Sequence, residues 1–171
     1  IFPKDRHYNV GIGNLISNKD TKKLSKKDLY KFVQQHFKTD SIKNITAFPI
    51  GTEGENYKTA NNIFLVGDAA GFAESLLGEG IYNAIISGKY AAKAIVESEL
   101  KGQEASQIYN KFLEAFTNEL KLYKKGAKIL YGYPLISYWM MRFGLGKKFM
   151  NGYSTGKTLS EIMGKSNAYL N

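Results

Sequence analysis

Two short turns, at residues 67–71 and 78–80, contain the residues whose types and spacing could bind a ligand. Asp68 follows the apolar run Ile63–Val66, which predicts a buried parallel strand, and ligands bind beyond the carboxyl ends of such strands. The Asp68 carboxylate could accept hydrogen bonds from the hydroxyl groups of a sugar or ribityl chain. The residues beside it are small enough for a ligand to approach the backbone: Gly67, Ala69, Ala70 and Gly71. The alternative interpretation is that Asp68 only caps a turn or a helix.

The second turn, Gly78-Glu79-Gly80, precedes a helical pattern that starts at Ile81 and continues to about Ser98. The free N–H groups at the start of a helix favour a bound anion or a polarised carbonyl group. A glycine turn before an ordinary core helix would have the same sequence. Together the turns are more informative, because they bring a hydroxyl acceptor and a helix N-terminus close in sequence. The predicted buried face of this helix consists of Ile81, Ala84, Ile85, Gly88, Ala91, Ala92 and Ile95.

The elements around these turns follow from periodicity and capping signals. Alternating side chains predict strands over residues 7–16 and 41–50. Ser25, with Asp28 three residues later, predicts the start of a helix that ends near Lys38.

The region after residue 100 is basic and rich in aromatic residues. Residues 1–100 carry 13 Lys and Arg against 11 Asp and Glu, whereas residues 101–171 carry 11 against 4. An amphipathic helix is predicted over residues 107–130, followed by two short helices separated by glycines 144, 146 and 152. The stretch Ile129–Phe143, flanked by basic residues, could rest on an anionic membrane surface. The alternative interpretation is that its apolar residues pack on the rest of the protein.

The composition excludes several classes of protein. Apolar residues make up 43% and charged residues 23%, which excludes a wholly disordered chain. Cysteine is absent and only two histidines occur, so disulfide frameworks are excluded and no metal centre is predicted. The basic residues accompany no nucleic-acid-binding motif, so no nucleic-acid partner is predicted. We expect a cytoplasmic protein, with peripheral membrane association left open.

The segment from Ile63 to Ile95 (IFLVGDAAGFAESLLGEGIYNAIISGKYAAKAI) resembles the second FAD-binding motif of the para-hydroxybenzoate hydroxylase-like flavoproteins. Within that group it is most similar to the geranylgeranyl reductase family, whose usual sequence is a hydrophobic strand, GDAAG, a short spacer, GEGI or GGGI, an alanine and SG. Residues 1–4 (IFPK) and 9–13 (NVGIG) are similar to the family's aromatic substrate-pocket motif and the strand after it. The family often has Pro-Leu-Thr where this chain has Ser75-Leu76-Leu77, which predicts a looser loop between the two turns.

The resemblance implies specific contacts with FAD. Asp68 would hydrogen-bond the ribityl chain, and the backbone of residues 78–81 would lie along the pyrimidine edge of the isoalloxazine ring. Phe2 and Pro3 would contact the substrate. No side chain is identified as the proton donor, and Tyr82 is only close to the second turn in sequence. The complete set of implied FAD contacts is Gly67, Asp68, Ala69, Gly78, Glu79, Gly80 and Ile81.

The implied fold is α/β, and α+β within this chain, which would be the C-terminal part of a two-domain flavoprotein with few strands and a helix-rich C-terminus. Residues 1–50 would end a β-sheet substrate domain, residues 51–100 would belong to the FAD-binding domain, and residues 101–171 would form a helical region. No G-x-G-x-x-G fingerprint follows an N-terminal strand, so this chain alone is expected to bind FAD poorly.

The implied function is the reduction of double bonds in an isoprenoid or other lipid-like substrate by hydride transfer from reduced FAD. NAD(P)H or ferredoxin would be the electron donor. Two alternatives remain open: a flavin-dependent monooxygenase of the same fold, and a non-catalytic helical module that binds lipid or a membrane.

Overall fold

Helices account for most of the chain in the computed structural model, which describes residues 1–14 and 23–164. The chain divides into two units, Ile1–Phe48 and Pro49–Asn171. The abundance of helix and the short strands confirm the prediction of a helix-rich α+β chain. The three-domain division expected from the sequence stays a prediction.

The unit Ile1–Phe48 contains a short antiparallel ribbon and one helix. Strand β1 (Phe2–Pro3) pairs with strand β2 (Tyr8–Asn9). Helix α1 (Lys26–Phe37) begins where the sequence predicts, because Ser25 and Asp28 form a capping box in which Ser25 N donates to Asp28 Oδ2 at 2.8 Å.

Of the two strands predicted before residue 51, the first is much shorter than predicted and the second does not form. Of residues 7–16, only Tyr8–Asn9 belong to a strand, and residues 15 and 16 lie outside the described residues. Residues 41–50 form no strand. An alternating sequence forms a strand only where a neighbouring backbone pairs with it, and β1 supplies only two residues of pairing.

The unit Pro49–Asn171 is organised around two long helices, α2 (Ile81–Lys101) and α3 (Ala105–Gly132), which confirm the helices predicted over residues 81–98 and 107–130. Phe72, fully buried, contacts the Phe116 ring edge to face, with the ring centroids 5.0 Å apart. Because Phe72 directly follows residues 67–71, this contact ties the first turn to the core. The buried core cluster comprises Ala70, Phe72, Ala91, Ala94, Ile108, Tyr109, Leu113, Phe116 and Leu120.

The strand predicted at Ile63–Val66 is wrong, because this segment is irregular apart from one β-bridge at Ile63. The backbone of Leu65 bonds to side chains instead: its N–H donates to Tyr57 Oη at 3.0 Å, and Tyr109 Oη donates to its carbonyl at 3.0 Å. A buried parallel strand needs neighbouring strands, and residues 49–164 contain none.

The buried face predicted for α2 is correct at Ala91 but wrong at its isoleucines. Ile81 is 76% exposed and Ile85 is exposed as well, whereas the side chains that point into the unit are Asn83, Ser87, Ala91 and Ala94. Asn83 and Ser87 occupy the inner side because they hydrogen-bond to buried backbone groups of the chain. A pattern of apolar residues does not reveal such polar contacts.

The C-terminal part contains α4 (Pro134–Met140), a π-helical turn (Met141–Leu145), α5 (Gly146–Ser154) and α6 (Leu159–Ile162). Gly144, at φ 109°, breaks the helix as predicted, but Gly152 lies inside α5. A Cβ on Gly152 would collide with Ile162, so this glycine allows α6 to approach α5. Within residues 1–14 and 23–164, every helix is too short or too polar to cross a membrane.

Candidate functional site

The first turn presents the side chain of Asp68 to solvent. Residues 67–70 form a 3-10 turn that Gly71 ends at φ 72°. Gly71 N donates to Asp68 O at 3.0 Å and Phe72 N donates to Gly67 O at 3.0 Å, so backbone hydrogen bonds join the two ends of the turn. The Asp68 side chain is exposed, and it is therefore accessible to a ligand.

The two turns meet at Asp68 and Gly80. A Cβ built on Gly80 would lie only 2.9 Å from Asp68 Oδ1. Gly80 is also the N-cap of α2, and its carbonyl accepts from Ala84 N at 2.8 Å. Glu79 Oε1 accepts from Tyr82 N at 3.0 Å and so satisfies one of the N–H groups of the first helical turn. A carboxylate and the start of a helix thus lie side by side.

Two buried polar residues of α2 hold the first turn against the helix. Gly67 N donates to Ser87 Oγ at 3.0 Å, and Ser87 Oγ donates to Asn83 O at 2.7 Å. Asn83 Nδ2 donates to Phe72 O at 2.8 Å. A Cβ on Gly67 would lie 2.8 Å from Ala84 Cβ, so only glycine allows this approach. Sequence reasoning assigned no role to Asn83 and Ser87, although both lie among apolar residues of α2 and Ser87 belongs to the SG of the family pattern.

The segment from Gly51 to Gly54 supports the turn from the opposite direction. Gly54 N donates to Gly71 O at 2.9 Å, and Ala73 N donates to Gly51 O at 3.2 Å. A Cβ on Gly54 would lie 2.6 Å from Gly71 O. The sequence signal for this close approach was the pair Gly51 and Gly54, because two backbone segments can come this close only where the side chains are small.

Lys124 of α3 anchors this supporting segment. Its Nζ lies 2.8 Å from Glu53 Oε2 and also pairs with Glu55, whose side chain is buried. Hydrogen bonds to Glu53 and Glu55 raise the pKa of Lys124, which keeps the ammonium charged where it meets the two carboxylates.

The other predicted site residues are distributed as follows. Ala69 and Ile81 are exposed, and Gly78, at φ 75°, has open space around its Cα hydrogen. Residues 67–69 and 78–81 lie in the same unit, and they approach each other at Asp68 and Gly80. Phe2 and Pro3 form β1 in the unit Ile1–Phe48, where Phe2 is exposed.

A cavity of about 220 Å³ adjoins the second turn, and the sequence did not predict it. Burial raises the pKa of Tyr82, and the charge of Glu161 adds to this effect. Burial likewise raises the pKa of Tyr153 well above its usual range, with the charges of Glu74 and Glu79 adding to it. Both phenols therefore stay protonated at neutral pH. The cavity is lined by Glu74, Glu79, Tyr82, Asn83, Phe116, Glu119, Leu120, Tyr123, Tyr153, Gly156, Lys157 and Thr158.

In the part of the chain that the structure describes, no three His, Asp or Glu side chains are grouped as metal ligands.

Similar sequences occur among curated proteins. The chain is 34% identical over 102 residues to geranylgeranyl diphosphate reductase, chloroplastic, of Oryza sativa subsp. japonica, covering 60% of this chain and 22% of that protein. It is 34% identical over 121 residues to digeranylgeranylglycerophospholipid reductase of Picrophilus torridus, covering 67% and 30%. It is 34% identical over 139 residues to digeranylgeranylglycerophospholipid reductase 2 of Methanosphaera stadtmanae, covering 76% and 35%.

The chain thus spans about a fifth to a third of the length of these relatives. No family model matches the chain. No solved structure matches it either. The relatives come from a plant and from distant microorganisms, yet their names describe reductases of geranylgeranyl compounds. We conclude that the chain belongs to the geranylgeranyl reductase family.

Proposed function

We propose that this chain supplies the flavin-contacting part of an FAD-dependent oxidoreductase that reduces isoprenoid carbon–carbon double bonds. The observation that carries the proposal is the contact between an exposed carboxylate, Asp68, and the glycine that begins α2, Gly80. A flavin cofactor needs an acceptor for its ribityl hydroxyl groups and a backbone surface free of side chains for its ring.

The residues present fit such a group. Asp68 would accept from the ribityl chain, and the small, exposed side chain of Ala69 leaves room for the cofactor beside the first turn. A Cβ placed on Gly78 would meet no atom within 4 Å, so the backbone at Gly78 is open to a flat ring. When bound, FAD would supply the hydride for the reduction.

We propose an isoprenoid or other lipid-like substrate, because the relatives named above are reductases of geranylgeranyl compounds. Phe2 and Pro3 are the proposed substrate contacts. NAD(P)H and ferredoxin are the proposed electron donors, and spectrophotometric reduction of the enzyme with each one separates them. Oxygen uptake that depends on substrate would favour a flavin monooxygenase instead.

Replacing Asp68 tests the flavin site directly. In the protein of natural length, Asp68→Ala is expected to weaken FAD binding at least about tenfold, because the ribityl hydroxyl groups lose a charged acceptor. Asp68→Asn keeps one acceptor oxygen and is expected to lie between Ala and wild type. Titration of the apoprotein with FAD, followed by flavin fluorescence, measures the affinity.

Asp40→Ala, which removes an exposed carboxylate in the unit Ile1–Phe48, is the matched control and is expected to bind like wild type. The absence of flavin absorbance at about 450 nm in the wild-type protein would refute the proposal that it is a flavin-dependent oxidoreductase. Equal affinities for Asp68→Ala and wild type would refute the role of Asp68 only.

We also propose that residues 134–150, here called the basic aromatic segment, contact an anionic membrane surface. From residue 120 to residue 160 the chain has eight Lys and Arg and no Asp or Glu. The rings of Trp139 and Phe143 stack at 5.3 Å on the outside of the segment. Exposed aromatic and aliphatic side chains beside cations are typical of interfacial binding. The large exposed residues of the segment include Leu135, Ile136, Tyr138, Trp139, Phe143 and Met150.

Vesicle sedimentation is expected to show binding to phosphatidylcholine vesicles that contain phosphatidylglycerol, and weaker binding to phosphatidylcholine alone. The double variant Trp139→Ala/Phe143→Ala should lose most of this binding, since the rings supply the buried apolar area. Leu100→Ala removes an exposed leucine from α2 and should have no effect. Equal sedimentation with both vesicle types, or an unaffected double variant, would contradict the membrane contact.

A further inference from the structure

Glu74 is a buried carboxylate in the loop that joins the two turns of the site. Only 2% of the residue is exposed. Its two oxygens accept from the backbone N–H groups of Leu76 at 2.6 Å, Leu77 at 2.7 Å and Glu79 at 3.1 Å. Because a carboxylate offers about four acceptor positions, most of its capacity is used on this loop.

The backbone of Glu74 closes the same loop. Glu74 N donates to Glu79 O at 2.8 Å, and Gly78 N donates to Glu74 O at 3.0 Å. Gly78 adopts φ 75°, which lets the chain reverse direction at this point. One residue therefore receives or supplies five hydrogen bonds that shape residues 74–79, and these residues lead directly into Gly80.

A tyrosine of α3 also holds this loop. Tyr131, near the end of α3, donates from Oη to the carbonyl of Leu76. Tyr153 of α5 lines the same cavity as Glu74 and Glu79. The loop is consequently held between its own carboxylate and α3.

We propose that Glu74 is a positioning residue for the turn Gly78–Gly80, and that Tyr131 links this turn to α3. The inference rests on the proposed function, in which that turn lies along the flavin ring. Glu74 itself is buried beneath the loop and would act through the backbone of Gly78 and Glu79. Without it, three N–H groups lose their acceptor and the turn relaxes away from the geometry that the cofactor requires.

The test uses the protein of natural length with Glu74→Ala, Glu74→Gln and Tyr131→Phe, and Glu99→Gln as an exposed control on α2. Glu74→Ala is expected to raise the dissociation constant for FAD at least about tenfold and to change the visible circular dichroism of the bound flavin. Glu74→Gln retains one carbonyl acceptor and should fall between Ala and wild type. Tyr131→Phe should produce a smaller change in the same direction, and Glu99→Gln should match wild type.

Hydrogen exchange at residues 76–79 provides the second readout. These amides should exchange faster in Glu74→Ala and, to a lesser degree, in Glu74→Gln, while amides in the middle of α3 keep their rates. If wild type binds FAD and both Glu74 variants bind it with the same affinity and spectrum, the inference is overturned and the proposed function stands. Weaker binding with unchanged exchange at residues 76–79 would also overturn it, because the effect would not pass through the loop. A wild type that binds no FAD overturns both.

Discussion

Replacing Gly80 with alanine is expected to weaken FAD binding at least about tenfold in the protein of natural length, with little loss of stability. The new Cβ would lie 2.9 Å from Asp68 Oδ1, which is too close, but 3.5 Å from Ala73 Cβ, which is an ordinary contact. Because Asp68 is exposed, its carboxylate can rotate away and relieve the clash. Gly80 has φ −132°, a value that alanine adopts without strain. The substitution thus moves the proposed ribityl acceptor and leaves the fold intact.

Gly88→Ala is the matched control for this experiment. Gly88 is in the same helix, and a Cβ there meets no atom within 4 Å, so affinity should be unchanged and helix propensity should improve. A double-mutant cycle sharpens the test. If Gly80 acts through Asp68, then Gly80→Ala combined with Asp68→Ala should lose no more affinity than the larger single loss. Fully additive losses would contradict this coupling, and so would a Gly80→Ala protein with wild-type affinity.

Replacing Phe72 with alanine is expected to lower the free energy of unfolding by about 3–5 kcal/mol, the range found for deleting a buried aromatic ring. Phe72 is fully buried and meets the rings of Tyr57 and Phe116 edge to face, at 5.5 and 5.0 Å between centroids. Its carbonyl also accepts from Asn83. Urea unfolding followed by circular dichroism measures the change, and the remaining folded protein should bind FAD weakly because the first turn loses its attachment to the core.

Phe48→Ala serves as the control, because it deletes the same ring at an exposed position and should change stability by less than about 0.5 kcal/mol. Equal destabilisation by the two substitutions would contradict the assignment of Phe72 to the core. A strongly destabilised Phe72→Ala protein with normal FAD affinity would contradict the link between the core and the turn.

The helices of this chain were predictable because their signals are local. Ser25 and Asp28 form the capping box that their spacing indicates, and the two long helices begin within two residues of the predicted positions. The break at Gly144 was predictable for the same reason, since its φ of 109° suits glycine and few other residues. Strands were predicted less well. Ile63–Val66 has the composition of a buried strand, but a strand also depends on partners that can be far away in sequence.

The loop between the two turns illustrates a contact that sequence patterns do not reveal. The absence of the family's proline predicts a looser loop at Ser75-Leu76-Leu77. In the structure, the carboxylate of Glu74 accepts three backbone N–H groups of this loop. An acidic residue in a polar turn is usually exposed, so its burial could not be inferred from its type. Lys124 is a similar case, because its partners Glu53 and Glu55 are about 70 residues away.

By itself, the sequence determined the family, the helices, and the two turns in which small residues surround Asp68 and precede α2. These features depend on residues a few positions apart, whose preferences act within a single turn of chain. Only the tertiary structure decided that Asp68 meets Gly80, that Ser87 and Asn83 rather than Ile81 and Ile85 face inward, and that Glu74 is buried. Such contacts depend on which segments approach one another and on whether each buried polar group finds a partner, and that balance is reached only when the whole chain packs.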